Sequence, residues 1–326
     1  MSAESFTTGE IDFIVPSTGQ ATKTWYKVYG DLANRKRRPL VVLHGGPGVV
    51  HDYMLSLSDL WTKNEIPVVF YDQIGGGMST HLPEKNGDIE FWTVPLFIAE
   101  LNNLLKHFKI QDDFDLLGNS WGGMLAAEFA VTKPKGLKNL VIASGPASMG
   151  LFIASLKEKI AQLPQEIQDT LKKHEDAGTT DDPEYTQAMM PFLFKHVCRV
   201  NPPPPEFMVC LHWLEKDPTV YHTMYVFSPE QKIAQFLMHL VDRNGPSEFH
   251  IIGSLKTWSI LDRIPEITYR TLLTNGRYDE VDDRCLQPFF DKLPKVKWIQ
   301  FAESSHLAHW EERDRYMKVV ADFLAV

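Results

Sequence analysis

The stretch Gly118-Asn119-Ser120-Trp121-Gly122 constrains this chain more than any other. A short apolar run (Phe114, Leu116, Leu117) precedes it, and an Ala-rich segment of helical character (Met124, Leu125, Ala126, Ala127, Phe129, Ala130) follows it. Strand, tight turn and helix in that order are the context in which G-x-S-x-G holds a serine on a sharp bend above a sheet. Side chains two residues before and after the serine would collide in so tight a turn, so glycine is expected at both places. Ser120 is then held in a strained backbone conformation with its hydroxyl pointing out above the sheet, as a candidate nucleophile.

The rest of the chain supplies such a sheet. Trp25–Tyr29, Leu40–Leu43 and Pro67–Tyr71 read as strands, with a helical segment around Tyr53 to Trp61 between the last two. Between Val94 and Phe108 the apolar residues Phe97, Leu101, Leu104, Leu105 and Phe108 recur at helical spacing, and Leu140–Ala143 is a further strand. Alternating strands and helices imply βαβ units and a mostly parallel sheet flanked by helices, the α/β class. The alternation stops near Gly145-Pro146, and from about Met149 to Leu261 the pattern is helical, broken at Pro202–Pro205. It resumes at Thr271–Thr274 and Val296–Ile299, followed by an amphipathic helix near Arg313 to Leu324. Residues 1–148 and 263–326 are therefore expected to form one α/β core. Residues 149–262 are expected to form a helical cap inserted between two of its strands.

With 326 residues, 44% of them hydrophobic, the chain can bury a large core. A formal net charge of -9 argues against nucleic acid as a partner. Arg35–Arg38 is the only compact basic cluster and reads as a solvated loop. The polar, acidic Met1–Ser5 has no apolar signal region, and no apolar stretch approaches the roughly 18 residues that span a bilayer. Three widely spaced cysteines (Cys198, Cys210, Cys285) without C-x-x-C read as reduced thiols of a cytoplasmic protein. No membrane association, metal or organic cofactor is expected.

A serine hydroxyl is a weak nucleophile near neutral pH; it needs a base, and the base an orienting acid. Of twelve histidines, His306 is best placed, in the polar turn Glu303-Ser304-Ser305-His306 after the last strand, with His309 close by. The acid is expected at another strand end, between Ser120 and His306 in chain order. Asp279 follows the strand Thr271–Thr274, with Asp282 and Asp283 as equal candidates in spacing. Oxyanion donors are expected from His44-Gly45-Gly46-Pro47-Gly48, directly after Leu40–Leu43. Gly46 and Trp121 are the candidate donors, and His44 is read as a brace for the loop.

Taken together, His44–Gly48, Tyr71-Asp72-Gln73 with its glycine run to Ser79, and Gly118–Gly123 resemble the proline iminopeptidases of the α/β-hydrolase superfamily. Asn244–Phe249 and Gly276–Glu280 are similar to the tricorn-interacting aminopeptidase and L-amino acid amidase branch. That resemblance implies a serine hydrolase acting on a small molecule or short peptide with a free amino group. It implies that Glu248, from the cap, and Glu280, directly after Asp279, hold the substrate's α-ammonium. Two carboxylates in a partly desolvated pocket suit one cation and repel each other without it. The sequence departs from the family pattern at Asp72–Ser79, where Ile74 and Met78 stand at positions that carry charge or greater bulk in relatives. The aromatic residues Phe192, Phe194, Phe207, Trp213, Tyr221, Tyr225 and Phe227 divide between the cap's own core and a substrate pocket. An esterase or lactonase, or a non-catalytic receptor of the same fold, are the alternative functions.

Overall fold

Runs that are apolar at every position belong in strands covered on both faces, and Leu40–Leu43 and Val68–Tyr71 are buried along their whole length. The computed structural model describes residues 6–179, 182–226 and 253–325. Its strands are β1 (Phe6–Ile14), β2 (Ala21–Tyr29), β3 (Leu40–Leu43), β4 (Val68–Tyr71), β5 (Phe114–Asn119), β6 (Leu137–Ala143), β7 (Arg270–Gly276) and β8 (Val296–Phe301). They form one sheet in the order β1-β2-β4-β3-β5-β6-β7-β8. β1 pairs antiparallel with β2, and β2 antiparallel with β4; β3 to β8 are parallel. The mostly parallel sheet expected from the alternation is present, and β1 adds a strand that the alternation did not include. Its outer half, Phe6–Glu10, is largely exposed and too polar to stand out as an apolar run.

Successive side chains of a strand point to opposite faces. Val41 and Leu43 of β3 accordingly join Val69, Tyr71 and Leu116 in the core cluster on one face of the sheet. Leu40 and Val42 join Val68, Phe70 and Leu117 on the other. Helices α2 (Val94–His107) and α3 (Trp121–Val131) pack in the first cluster, and the C-terminal helix Arg313–Leu324 packs in the second. The helix expected around Tyr53 to Trp61 is a 3-10 segment, His51–Ser58, running into α1 (Asp59–Asn64).

β3 has β4 on one side and β5 on the other, so the winding of the sheet reverses between β3 and β5. Open α/β sheets bind ligands outside the carboxyl ends of their strands at such a switch point. The loop His44–Gly48 leaves β3 there, and Ser120 leaves β5 there.

Helices α4 (Met149–Ile160), α5 (Gln165–Ala177), α6 (Pro183–His196) and α7 (Pro205–Lys216) lie between β6 and β7. Asp182 caps α6 by accepting a hydrogen bond from the Glu184 N–H, with Pro183 in the first turn. The run Pro202–Pro205 separates α6 from α7, and its last residue opens α7. Proline is tolerated in a first turn, where its missing N–H would have had no partner within the helix. Among the described residues no helix is long and apolar enough to cross a membrane.

Candidate active site

Ser120 sits at φ 58 and ψ -124, in the turn between β5 and α3. A positive φ is uncommon for any residue that carries a Cβ and persists only where the surroundings enforce it. The flanking glycines explain how. A Cβ on Gly118 would lie 2.0 Å from the Gly122 carbonyl oxygen, so the bend itself excludes one. On Gly122 it would lie 2.1 Å from the Leu43 carbonyl oxygen, so there the limit is set by β3. Because both clashes are with backbone, relief requires moving the sheet. Gly122→Ala is therefore expected to destabilise the protein by about 3 kcal/mol or more, read as a shift in the urea midpoint.

His306 follows β8, and its Nδ1 donates to Asp279 Oδ1 at 2.8 Å. Both side chains are buried. A carboxylate acceptor fixes the proton on Nδ1 and leaves Nε2 as the basic nitrogen. Asp279 follows β7 and also accepts from the Val281 N–H at 2.9 Å and from Ser144 Oγ at 2.6 Å. With a longer bond from the Gly276 N–H at 3.4 Å, four donors hold the carboxylate in one orientation. Ser144 was not among the sequence candidates; it follows β6 and, like Ser120, has a positive φ, here 49.

The alternatives left open by spacing have other work. His309 Nδ1 bonds to Ser56 Oγ at 2.8 Å and braces the His51–Ser58 segment. Asp282 caps the helix Asp283–Lys292 and pairs with Lys159 at 3.4 Å. Asp283 accepts from Asn275 and Gln300.

Ser120, His306, Gly46, Trp121 and Glu280 line one cavity. Gly46 adopts φ +108, and a Cβ there would lie 2.6 Å from the Val49 nitrogen. Trp121 is the first residue of α3, where N–H groups have no carbonyl partner inside the helix. The loop between them is cross-braced. Tyr53 Oη accepts from the Gly45 N–H and donates to Asn119 Oδ1, each at 2.7 Å. His44 Nε2 accepts from the Gln73 N–H at 3.0 Å, and Trp121 Nε1 donates to Gln73 Oε1 at 2.9 Å. The Asp72–Ser79 segment is part of this scaffold. Asp72 accepts from the His51 and Met78 N–H groups, and Glu100 accepts from the Ile74 N–H. Burial pushes the Glu100 carboxyl up to about 8. Ile74 is buried and Met78 exposed, which separates the two substituted positions into core and surface.

Several histidines here set a stability optimum. Burial pushes His44 and His196 down to about 4 and His309 to about 3. Each binds a proton in the unfolded chain but not in the fold between those values and about 6.5, so stability falls as pH drops through that window, by about 1.4 kcal/mol per pH unit per histidine. His81 shifts the other way. Its hydrogen bond to Asp217 raises it, so its contribution is present below about 6.5 and lost as pH rises through its folded value. Glu100 works in the opposite sense between about 8 and 4.5 and offsets one histidine. The histidine effect is therefore read by comparison: His309→Asn is expected to lessen the fall in urea midpoint between about pH 6.5 and 5 relative to wild type.

Glu280 is buried on the cavity wall, its Oε1 3.9 Å from His306 Nε2. Its backbone is held by the inserted helices: the Glu280 N–H donates to the His196 carbonyl at 3.2 Å, and Ser155 Oγ donates to the Glu280 carbonyl at 2.6 Å. Glu248 and Phe227 lie outside the described residues. Phe207, Tyr221 and Tyr225 line the cavity, whereas Phe192 is buried in the core, Phe194 is exposed and Trp213 stacks on His81. Among the described residues one cluster, His174, Asp182 and Glu184, has donor atoms close enough to share a metal ion. Glu184 already pairs there with Lys173 at 2.6 Å, and none of the three lines the cavity.

The alpha/beta hydrolase fold family matches residues 38–313. A proline iminopeptidase of Thermoplasma volcanium is 35% identical over 94% of this chain and 94% of its own length. One from Saccharolobus solfataricus is 33% identical over 92% of this chain and 88% of its own. Among solved structures, VinJ superposes with a TM-score of 0.87 at 43% identity, over 98% of each chain. The proline iminopeptidase of Mycobacterium smegmatis does so with a TM-score of 0.81 at 38% identity, over 97% of this chain and 98% of that one. The chain thus belongs to the α/β-hydrolase family, within its proline iminopeptidase branch.

Proposed function

We propose that this protein is a serine aminopeptidase or amino acid amidase, cleaving the amide bond that follows a free amino-terminal residue. Ser120 Oγ attacks the carbonyl while His306 Nε2 takes its proton, and Asp279 holds the imidazole in the required tautomer and stabilises the imidazolium. The backbone N–H groups of Gly46 and Trp121 receive the oxyanion. His306 then returns the proton to the leaving amine, and water repeats the sequence on the acyl-enzyme. The insertion, residues 149–262, acts as a cap over this site, and its described residues Phe152, Val197, Phe207, Tyr221 and Tyr225 supply apolar wall.

The observation that carries the substrate class is the buried Glu280 carboxylate, which shares the cavity with Ser120 and stands 3.9 Å from the His306 nitrogen. A carboxylate on the wall of an enclosed, largely apolar cavity attracts a cationic group of the substrate strongly, because the low dielectric there strengthens the pairing. An α-ammonium two bonds from the scissile carbonyl can reach such a group while that carbonyl faces Ser120. Glu248 is assigned to the same ammonium through the family resemblance. The relatives named proline iminopeptidase support an amino-terminal specificity.

A panel of aminoacyl amides, dipeptides and esters, each with its amino group free or acetylated, tests this reading. Acetylation removes a charge-assisted contact and is expected to lower kcat/KM by about 100-fold or more. Equal or better turnover of the acetylated compounds or of simple esters would favour an esterase. Stoichiometric binding without turnover would favour a receptor.

A further inference from the structure

Asp279 and His306 stand on separate loops, and one short run of the cap holds both. His196, the last residue of α6, donates from Nδ1 to the Tyr278 carbonyl at 2.6 Å. Its own carbonyl accepts from the Glu280 N–H at 3.2 Å. These two bonds bracket Asp279. Three residues on, the Arg199 N–H donates to Glu311 Oε1 at 2.6 Å, and the Arg199 guanidinium lies 3.9 Å over the Tyr278 ring. The Glu311 carboxylate also accepts from the N–H and the Oγ of Ser305, the residue before His306. Between the two contact points, Val197 lines the cavity.

We propose that His196–Arg199 is a clasp that aligns Asp279 with His306, and that His196 is a positioning residue for the catalytic groups. The clasp rests on the assignment of Ser120, His306 and Asp279 given above. His196 suits the role because it is buried against Phe192, with ring centroids 4.8 Å apart, and its neutral imidazole presents a single N–H to the carbonyl. Aliphatic side chains of similar volume would fill the space and leave the Tyr278 carbonyl without its donor. A group that meets the substrate at Val197 is also joined to both loops, so the cap contributes to alignment as well as to the pocket wall.

The test compares wild type with His196→Leu and with His196→Asn, whose side-chain amide can donate in place of Nδ1. Reaction with a fluorophosphonate measures the reactivity of Ser120 whatever the natural substrate. His196→Leu is expected to slow phosphonylation and kcat by about 10- to 100-fold with KM little changed, the cost of misplacing catalytic groups by a fraction of an ångström to an ångström. His196→Asn is expected to restore most of both. Wild-type phosphonylation rates in His196→Leu would overturn the clasp. So would a loss in His196→Asn that matches the leucine variant and simply follows a lowered Tm. Should His196→Leu fail to fold, Glu311→Gln reads the other end: a fall of about 10-fold in phosphonylation is expected, and an unchanged rate counts against the clasp. Absence of phosphonylation at Ser120 in the wild type would remove the triad and the clasp with it. Phosphonylation of wild type without cleavage of free-amine substrates would overturn only the substrate class, and the clasp would still be read from the variants.

Discussion

Ser120→Ala is expected to lower kcat on an aminoacyl anilide by about 10^4- to 10^6-fold, with the unfolding midpoint close to that of wild type. The size follows from what is removed. Ser120 Oγ is the only group proposed to form a bond with the substrate, and without it His306 and Asp279 have nothing to activate. The proposed oxyanion donors and ammonium site would still bind and polarise the amide, so a residual rate above that in water is expected. The fold is insensitive because the unusual φ at Ser120 is enforced by its neighbours, Gly118 and Gly122, and alanine meets the same backbone constraint as serine. Steady-state kinetics on freshly purified protein, with circular dichroism as the control for folding, gives the answer. Substantial hydrolysis by the variant would place the nucleophile elsewhere.

Asp279→Asn is expected to cost about 10^4-fold in kcat through the tautomer, with KM little changed. An amide that donates to His306 Nδ1 moves the ring proton to Nε2, the nitrogen needed as base. The variant also disturbs a carboxylate that accepts from His306, Val281 and Ser144. One of its two oxygens becomes an NH2 group, so a donor faces a donor at that corner. A loss of about 1–3 kcal/mol in stability is expected beside the kinetic effect, and denaturant unfolding separates the two. Ser144→Ala removes one of those donors and keeps the carboxylate, so its effect on kcat should be much the smaller.

What the sequence made legible here is local. The bend at Ser120 needs glycines within two residues of it, and β3 and β4 need uninterrupted apolar runs, so both stand out in a few consecutive letters. Asp279 was one of three aspartates in a single turn, and spacing alone could not separate it from Asp282 and Asp283. The separation comes from which acid meets His306, a contact across 27 residues of chain. Ser144 and His196 reach the same loop across 135 and 82 residues, with no motif to announce them. Gly122 was expected to avoid its own turn, whereas its space is limited by β3, a strand that precedes it by nearly 80 residues. The inserted helices were harder still, since an aromatic residue at helical spacing looks the same whether it faces the cavity, as Phe207 does, or the core, as Phe192 does.

If Ser120 acts beside an ammonium site at Glu280, a single ratio reports it. That ratio is kcat/KM for an aminoacyl anilide divided by kcat/KM for its N-acetyl derivative, measured for wild type and for Glu280→Gln. The amide of the variant keeps the shape of the carboxylate and loses its charge. The ratio is expected to be about 100 or more in wild type and to fall by at least about 10-fold in the variant, through loss of activity on the free amine alone. A ratio left unchanged by Glu280→Gln, or one near unity in wild type, would contradict the account.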